Sequence, residues 1–186
     1  MKQEAEKLIF ELIEQTRKHV NYAESLKKLP NQVLNWKPNK DAWNVVECLA
    51  HLNLYGDFYH PEIKNAMQNS RHISEVTYSS GWLGNYFANS MLPKEKLNKM
   101  KTFKDKNPIN FPSKKTVIDD FVQQQLTLIE LLNQAKKANL NKTKTAISIS
   151  QLIKLRLGDT FRFLINHNIR HIHQIQKLLK AQKVEN

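Results

Sequence analysis

A chain of 186 residues, 40% hydrophobic and 25% charged, has the size and make-up of one globular domain, taken here as residues 1–186. Four glycines and six prolines are too few for a sheet-rich protein with many tight turns, and the lone Cys48 excludes an internal disulfide. The net charge of +12 admits an anionic partner, but the lysines gather in residues 94–115 and 136–156, which read as loops or helix ends without base-stacking aromatics, so tight sequence-specific nucleic-acid binding is not expected.

The first helix is predicted over residues 2–28, where Leu8, Ile9, Leu12, Ile13 and Val20 recur at helical spacing and Pro30 stops the run. Acidic Glu4 and Glu6 stand where a signal peptide needs cationic and then apolar residues, and no apolar run has the length of a membrane span. A cytoplasmic protein without membrane association is expected. A connector over 31–41 leads to a second helix over 41–69, with Asp41 as its expected N-cap and Val45, Cys48, Leu49, Leu52, Tyr59, Ile63 and Met67 on its apolar face. Residues 70–115 read as a long irregular insertion with a short helix over 83–91, docked by Trp82, Tyr86 and Phe87. It serves either as a functional lid or as a packed excursion without chemistry.

The third helix is predicted over 116–138, with Ile118, Phe121, Val122, Leu126, Ile129 and Leu132 inward. A loop over 139–149 and a short helical piece from Ser150 precede the last long helix, capped by Asp159 and ending near residue 183. The alternation in 147–150 is too short to build a sheet alone. Four long amphipathic helices imply an all-α, four-helix bundle.

Of seven histidines, three are placed to act together. His167 and His171 stand one turn apart on one face of the last helix, at about 100° per residue. Gln174 and Thr160 share that face, and His173 points elsewhere. On the second helix His51 lies at the edge of the apolar face, beside Cys48, Tyr55 and Phe58, and His60 faces the opposite side. Spacing leaves two readings open: satisfied core histidines, or three imidazole ligands with a further coordination position free for water or substrate.

The segment Asp159-Thr-Phe-Arg-Phe-Leu-Ile-Asn-His-Asn-Ile-Arg-His-Ile-His-Gln-Ile resembles the final-helix signature of the DinB/YfiT-like superfamily. That signature has two histidines four apart, an arginine before the second and a glutamine three after it. Trp43-Asn-Val-Val-Glu-Cys-Leu-Ala-His-Leu resembles its second-helix signature, and the loop from Lys101 to Lys104 and the region from Pro108 to Pro112 are similar to a subgroup. Asn168 departs from the pattern, where an acidic residue is common. The resemblance implies a four-helix bundle, often dimeric, holding one divalent ion, nickel or zinc, through His51, His167 and His171. Some members are thiol transferases that use bacillithiol or mycothiol.

Three function classes follow. The first is a metal-dependent thiol S-transferase or hydrolase acting on an electrophilic small molecule. The second is a metal-binding, structural or stress-related protein without catalysis. The third, a nucleic-acid-associated protein, is suggested by charge alone. Glu47, one turn before His51, reads either as a catalytic base or second-layer partner, or as a surface carboxylate at a helix start. Cys48 reads as a small buried apolar residue, and Trp36, Trp43 and Trp82 as packing. A homodimer is expected, with Phe10 and Leu26 as apolar residues in excess of one core.

Overall fold

The structure, a computed structural model, describes residues 1–93, 102–109 and 116–185. Residues 2–4 do not begin the first helix. They run extended as β1 (Lys2–Glu4), antiparallel to β2 (Thr77–Ser79), and α1 (Ala5–Leu26) starts behind them. Leu8, Ile9, Leu12 and Ile13 are buried as their spacing requires, followed on the same face by Thr16, His19, Ala23 and Leu26. After Pro30 the connector forms a single turn and a half, α2 (Asn31–Asn35).

The second long helix, α3 (Val45–Asn69), starts four residues later than expected. Its cap is Asn44, not Asp41. The Asn44 side chain accepts from the Glu47 backbone N–H at 2.7 Å, and Glu47 Oε2 accepts from the Asn44 N–H at 2.9 Å. This reciprocal capping box is worth about 1 kcal/mol, and the signal for it, Asn44 with Glu47 three residues on, is present in the sequence.

Residues 70–93 hold β2 and a short helix, α4 (Trp82–Ser90). Of the three docking residues expected, Phe87 packs against the core and the other two do not. Trp82 is 86% exposed and Tyr86 is 64% exposed, while Gly84, Ala88 and Met91 face inward. Gly84 is needed for this approach, since a Cβ there would stand 2.4 Å from the Asp159 side chain. A 3-10 turn follows at Lys104–Lys106. Lys101, Pro112 and most of the first lysine-rich stretch fall outside the described residues.

The third long helix, α5 (Thr116–Ala135), buries Ile118, Phe121, Val122 and Leu132 as read, but Leu126 is 42% exposed and Leu128 is buried in its stead. The loop and helical piece expected next are a hairpin: β3 (Lys144–Ile147) and β4 (Ser150–Arg156), antiparallel with an irregularity between Ala146 and Ile147. The last helix, α6 (Leu157–Glu185), follows directly.

Four long helices therefore carry the fold, α1 packed on α5, α5 on α3, α3 on α6 and α6 on α1, with α4 laid on α6. The architecture is all-α with two small ribbons. Each fully buried Leu, Ile or Phe contributes roughly 1.5–3 kcal/mol, and two clusters collect them. One runs through Leu8, Tyr59, Leu128 and Phe161, the other through Leu26, Leu49, Phe121 and Ile175. Leu26 is thus core, and only Phe10, 62% exposed, remains of the apolar surplus that suggested a dimer. On α6 the residues between these clusters include His167 and His171, and on α3 His51 stands beside Leu52, where the second cluster gives way to the first.

Candidate metal centre

On α3 the second cluster reaches Leu52 and the first takes over at Tyr55. On α6 the first reaches Ile165 and the second resumes at Ile175. Into this seam project His51, His167 and His171, all buried, with a ring nitrogen of each lying within 4.8 Å of the others. His51 Nε2 is 3.3 Å from His167 Nε2, and His167 Nε2 is 3.1 Å from His171 Nε2. The i,i+4 spacing on α6 aligns two of the rings, and the packing of α3 on α6 supplies the third.

The outer nitrogens decide the tautomers. His51 Nδ1 donates to the Lys106 carbonyl oxygen at 2.7 Å, and His171 Nδ1 donates to Gln174 Oε1 at 3.0 Å. Both acceptors lack a hydrogen to give, so each Nδ1 carries the ring proton and each Nε2 is left with a bare lone pair. A proton on His167 is the only one available between three converging nitrogens. Burial pushes His51 down to about 4 and His171 to about 3, and it holds His167 well below the usual range, with the neighbouring charges adding to this. The cluster is neutral near pH 7. His167 Nδ1 is buried and finds no partner among the described residues.

This donor set fits a divalent ion. Two imidazoles each about 2.05 Å from one ion have nitrogens about 2.9 Å apart at a right angle and about 3.3 Å apart at the tetrahedral angle. The observed 3.1 and 3.3 Å fall in that interval. Neutral nitrogen donors suit zinc, nickel and related borderline ions, and leave the ion's charge undiminished.

The rings open onto a cavity of about 860 Å³. Trp43 stacks on His171 at 5.7 Å between centroids and lies 4.8 Å from His51, while Tyr55 meets His167 edge-on at 4.4 Å. Phe163, one turn before His167, lies parallel to it at 6.0 Å. The insertion contributes Tyr86, Phe87, Met91, Thr102 and Phe103, and the hairpin adds Ile147, Ile149 and Leu155. The excursion is therefore part of the site on two counts: it walls the cavity, and its Lys106 carbonyl orients a histidine.

The other residues singled out in the sequence are placed as follows. Glu47 is buried, with Oε2 in the capping box and Oε1 2.6 Å from Lys37 Nζ, and it is not among the residues lining the cavity. Cys48 is fully buried, and burial pushes its thiol up, in keeping with a core residue. His60 is buried away from the cluster and His173 is half-buried on α6. Thr160 turns to Thr145, with their hydroxyl oxygens 2.6 Å apart, and ties the hairpin to α6. Gln174, on the face it shares with the two histidines of α6, serves His171, a pairing that the spacing alone leaves open.

Sequence reasoning missed Trp43 as a wall of the site and the Lys106 carbonyl. Tyr55 and Phe163 had a readable signal, each one turn from a ligand on the same helix face. The carbonyl had none, since any residue supplies one.

No curated protein and no solved structure matches the chain. The pattern of the DinB superfamily matches residues 12–175, a span that includes all three histidines, Gln174 and the whole of the cavity wall except Leu178. The chain belongs to the DinB superfamily.

Proposed function

We propose that this protein is a metal-dependent enzyme whose reaction, a thiol S-transfer or a hydrolysis, takes place where the three-histidine cluster opens onto the cavity. The observation that carries the reading is the convergence of three Nε2 atoms at 3.1 and 3.3 Å, two of them left as bare acceptors by their own Nδ1 partners. A single proton on His167 can serve only one of the two bare acceptors at a time, whereas a cation among the nitrogens would satisfy all three. A divalent ion held there would supply Lewis acidity that eases the loss of a proton from a thiol or a water. Nickel and zinc both suit the donors.

The chain's own residues do the rest. Lys106 and Gln174 fix the orientation of His51 and His171, so the donor nitrogens are preorganised. Trp43, Tyr55 and Phe163 keep bulk water from the ring faces. A cavity of about 860 Å³ lies toward the upper end of the roughly 300–1,000 Å³ of ordinary small-molecule sites. It has room for a low-molecular-weight thiol, an electrophile, or both. Glu47 enters this reading through the start of α3, by holding the helix that carries His51.

The test is His171→Ala, measured by elemental analysis beside a thiol-conjugation assay and a panel of hydrolysable esters and amides. The variant should keep its helical signal and lose both metal and activity. Full activity in metal-free His171→Ala protein would sink the mechanism. Metal retained by the wild type without any turnover would instead favour a binding protein whose ion has no catalytic task.

A further inference from the structure

The helices that bring the histidines together do not by themselves account for the wall around them. Seven of the 22 described residues lining the cavity are Phe, Trp or Tyr, in a chain where those residues make up 9%. They come from two sources. Trp43, Tyr55 and Phe163 stand against the histidine rings, with Trp43 inclined by 24° to His171 and Phe163 by 21° to His167. Tyr86, Phe87 and Phe103 come from the excursion between α3 and α5 and lie outside the four long helices. The charged residues of the described wall are Asp41, which is exposed, and Arg170, which is already engaged in an interaction of its own. Rings, rather than charges, are what the wall offers a ligand.

Two of the excursion's rings are left uncovered. Phe103 is 50% exposed and Tyr86 is 64% exposed although both line the cavity, and Ile149 of the hairpin, 51% exposed, lines it with them. Large apolar side chains that share a cavity and stay open to water mark a place where a ligand or partner covers apolar surface. Aromatic faces and edges hold a further ring in offset-stacked or edge-on contact, beyond what area burial alone supplies. A single ring fills a small part of a cavity of about 860 Å³, whereas a fused ring system can touch several of these side chains at once.

We propose that the cavity takes a flat aromatic molecule of two or more rings, and that Tyr86 and Phe103 are specificity-determining residues that pack against it. This deepens the enzymatic reading by naming a substrate class, and it rests on that reading only in taking this cavity as the reactive one.

The test is calorimetric binding of 2-naphthamide and of its saturated counterpart, decahydronaphthalene-2-carboxamide, to full-length protein with metal removed by chelation. The saturated molecule is the more hydrophobic, so apolar burial alone would rank it first. The wild type should instead bind the aromatic amide at least about fivefold more tightly. Phe103→Ala and Tyr86→Ala, both at exposed positions outside the histidine cluster, should each weaken the aromatic amide by about three- to tenfold. Phe103→Leu, which keeps apolar bulk without the ring, should narrow the preference for the aromatic amide. Equal affinity for the two amides, tighter binding of the saturated one, no binding of either at millimolar concentration, or an aromatic affinity unchanged in either alanine variant would each overturn the proposal. Light scattering of the same samples tests a rival occupant. A dimer that the two alanine variants dissolve, with amide affinity unchanged, would show that these rings serve a second copy of the chain and would end the inference. Elemental analysis of the untreated protein separates the two readings. An aromatic preference in a protein that binds no metal would keep this inference and end the enzymatic one, and metal without the preference would do the reverse.

Discussion

Two buried polar clusters lie on the same helix within a few turns, and they are built on opposite plans. At the start of α6, Asp159 is fully buried, and its carboxylate accepts from the Tyr78 hydroxyl at 2.5 Å, from the Gly81 N–H at 2.9 Å and from Ser80 Oγ. Arg162 stands 3.5 Å from the same carboxylate and donates to Ser80, Asn85 and Asn89. Donors meet acceptors and charge meets charge. Two turns on, three histidine nitrogens converge with two bare acceptors and at most one proton, on His167, between them. A self-complementary cluster is a fastening, and this one clamps the excursion of β2 and α4 onto α6. A cluster that is complementary only to a cation is a site. Burial and residue type do not separate the two; the pairing of donors with acceptors does.

That contrast predicts opposite responses to deletion. Asp159→Ala should lower the unfolding free energy by about 3–5 kcal/mol, because it leaves Arg162 buried without its counter-charge. His167→Leu in metal-free protein should cost less than about 1 kcal/mol, since it removes a buried, unpartnered Nδ1 along with the ring. Urea titrations of both variants check this, and equal losses would erase the distinction between fastening and site.

Acid sharpens the comparison by adding histidines that belong to neither cluster. Burial pushes His19 and His60 down to about 4 from an unfolded value near 6.5. Between those values the unfolded chain binds more protons than the folded one. The stability is therefore complete above pH 6.5 and is lost as pH falls toward 4, by roughly 3 kcal/mol for each histidine. Chemical denaturation of metal-free protein at intervals from pH 7 to pH 4 should follow that slope, and a flat profile would show these rings to be open to water.

Smaller effects probe the supports. Gln174→Leu takes away the acceptor that fixes the His171 tautomer and should weaken metal affinity about 10–100-fold while leaving the metal-free fold intact. Competition with a chelator of known affinity measures it. Glu47→Gln breaks the ion pair with Lys37 and weakens the cap of α3, for a loss of about 1 kcal/mol. If activity falls much further than stability does in that variant, Glu47 has a part in the chemistry beyond its helix.

What was legible in the sequence was periodic. The long helices and the inward set Leu8 to Ile13, Val45 to Ile63 and Ile118 to Leu132 follow from spacing, and so does the pairing of His167 with His171. What was not legible depends on partners far along the chain. Asp159 looks like a helix cap, but its hydrogen-bond partners are near residue 80, and nothing local to Gly158-Asp159 announces them. Residues 150–156 have no alternating apolar pattern because four of the seven, residues 151–154, are exposed in succession, with Leu152 95% exposed. Pairing with β3 and anchoring through Thr145 make that segment a strand. Leu126 and Leu128 both fit an apolar stripe, and only the direction of neighbouring helices chose between them.

The helical pairing of His167 with His171 has a consequence for how an ion is acquired. Those two donors share one turn of α6, so their mutual distance is set wherever that helix is formed, whether or not α3 has docked. His51 is 116 residues away from His167 and arrives only with the tertiary packing. The grip is then a preformed pincer plus a third finger whose effective concentration is governed by the fold. Capture of an ion there would be thermodynamically linked to completion of the hydrophobic seam: added stability in the α3–α6 contact would tighten the ion, and a bound ion would in turn hold that contact shut.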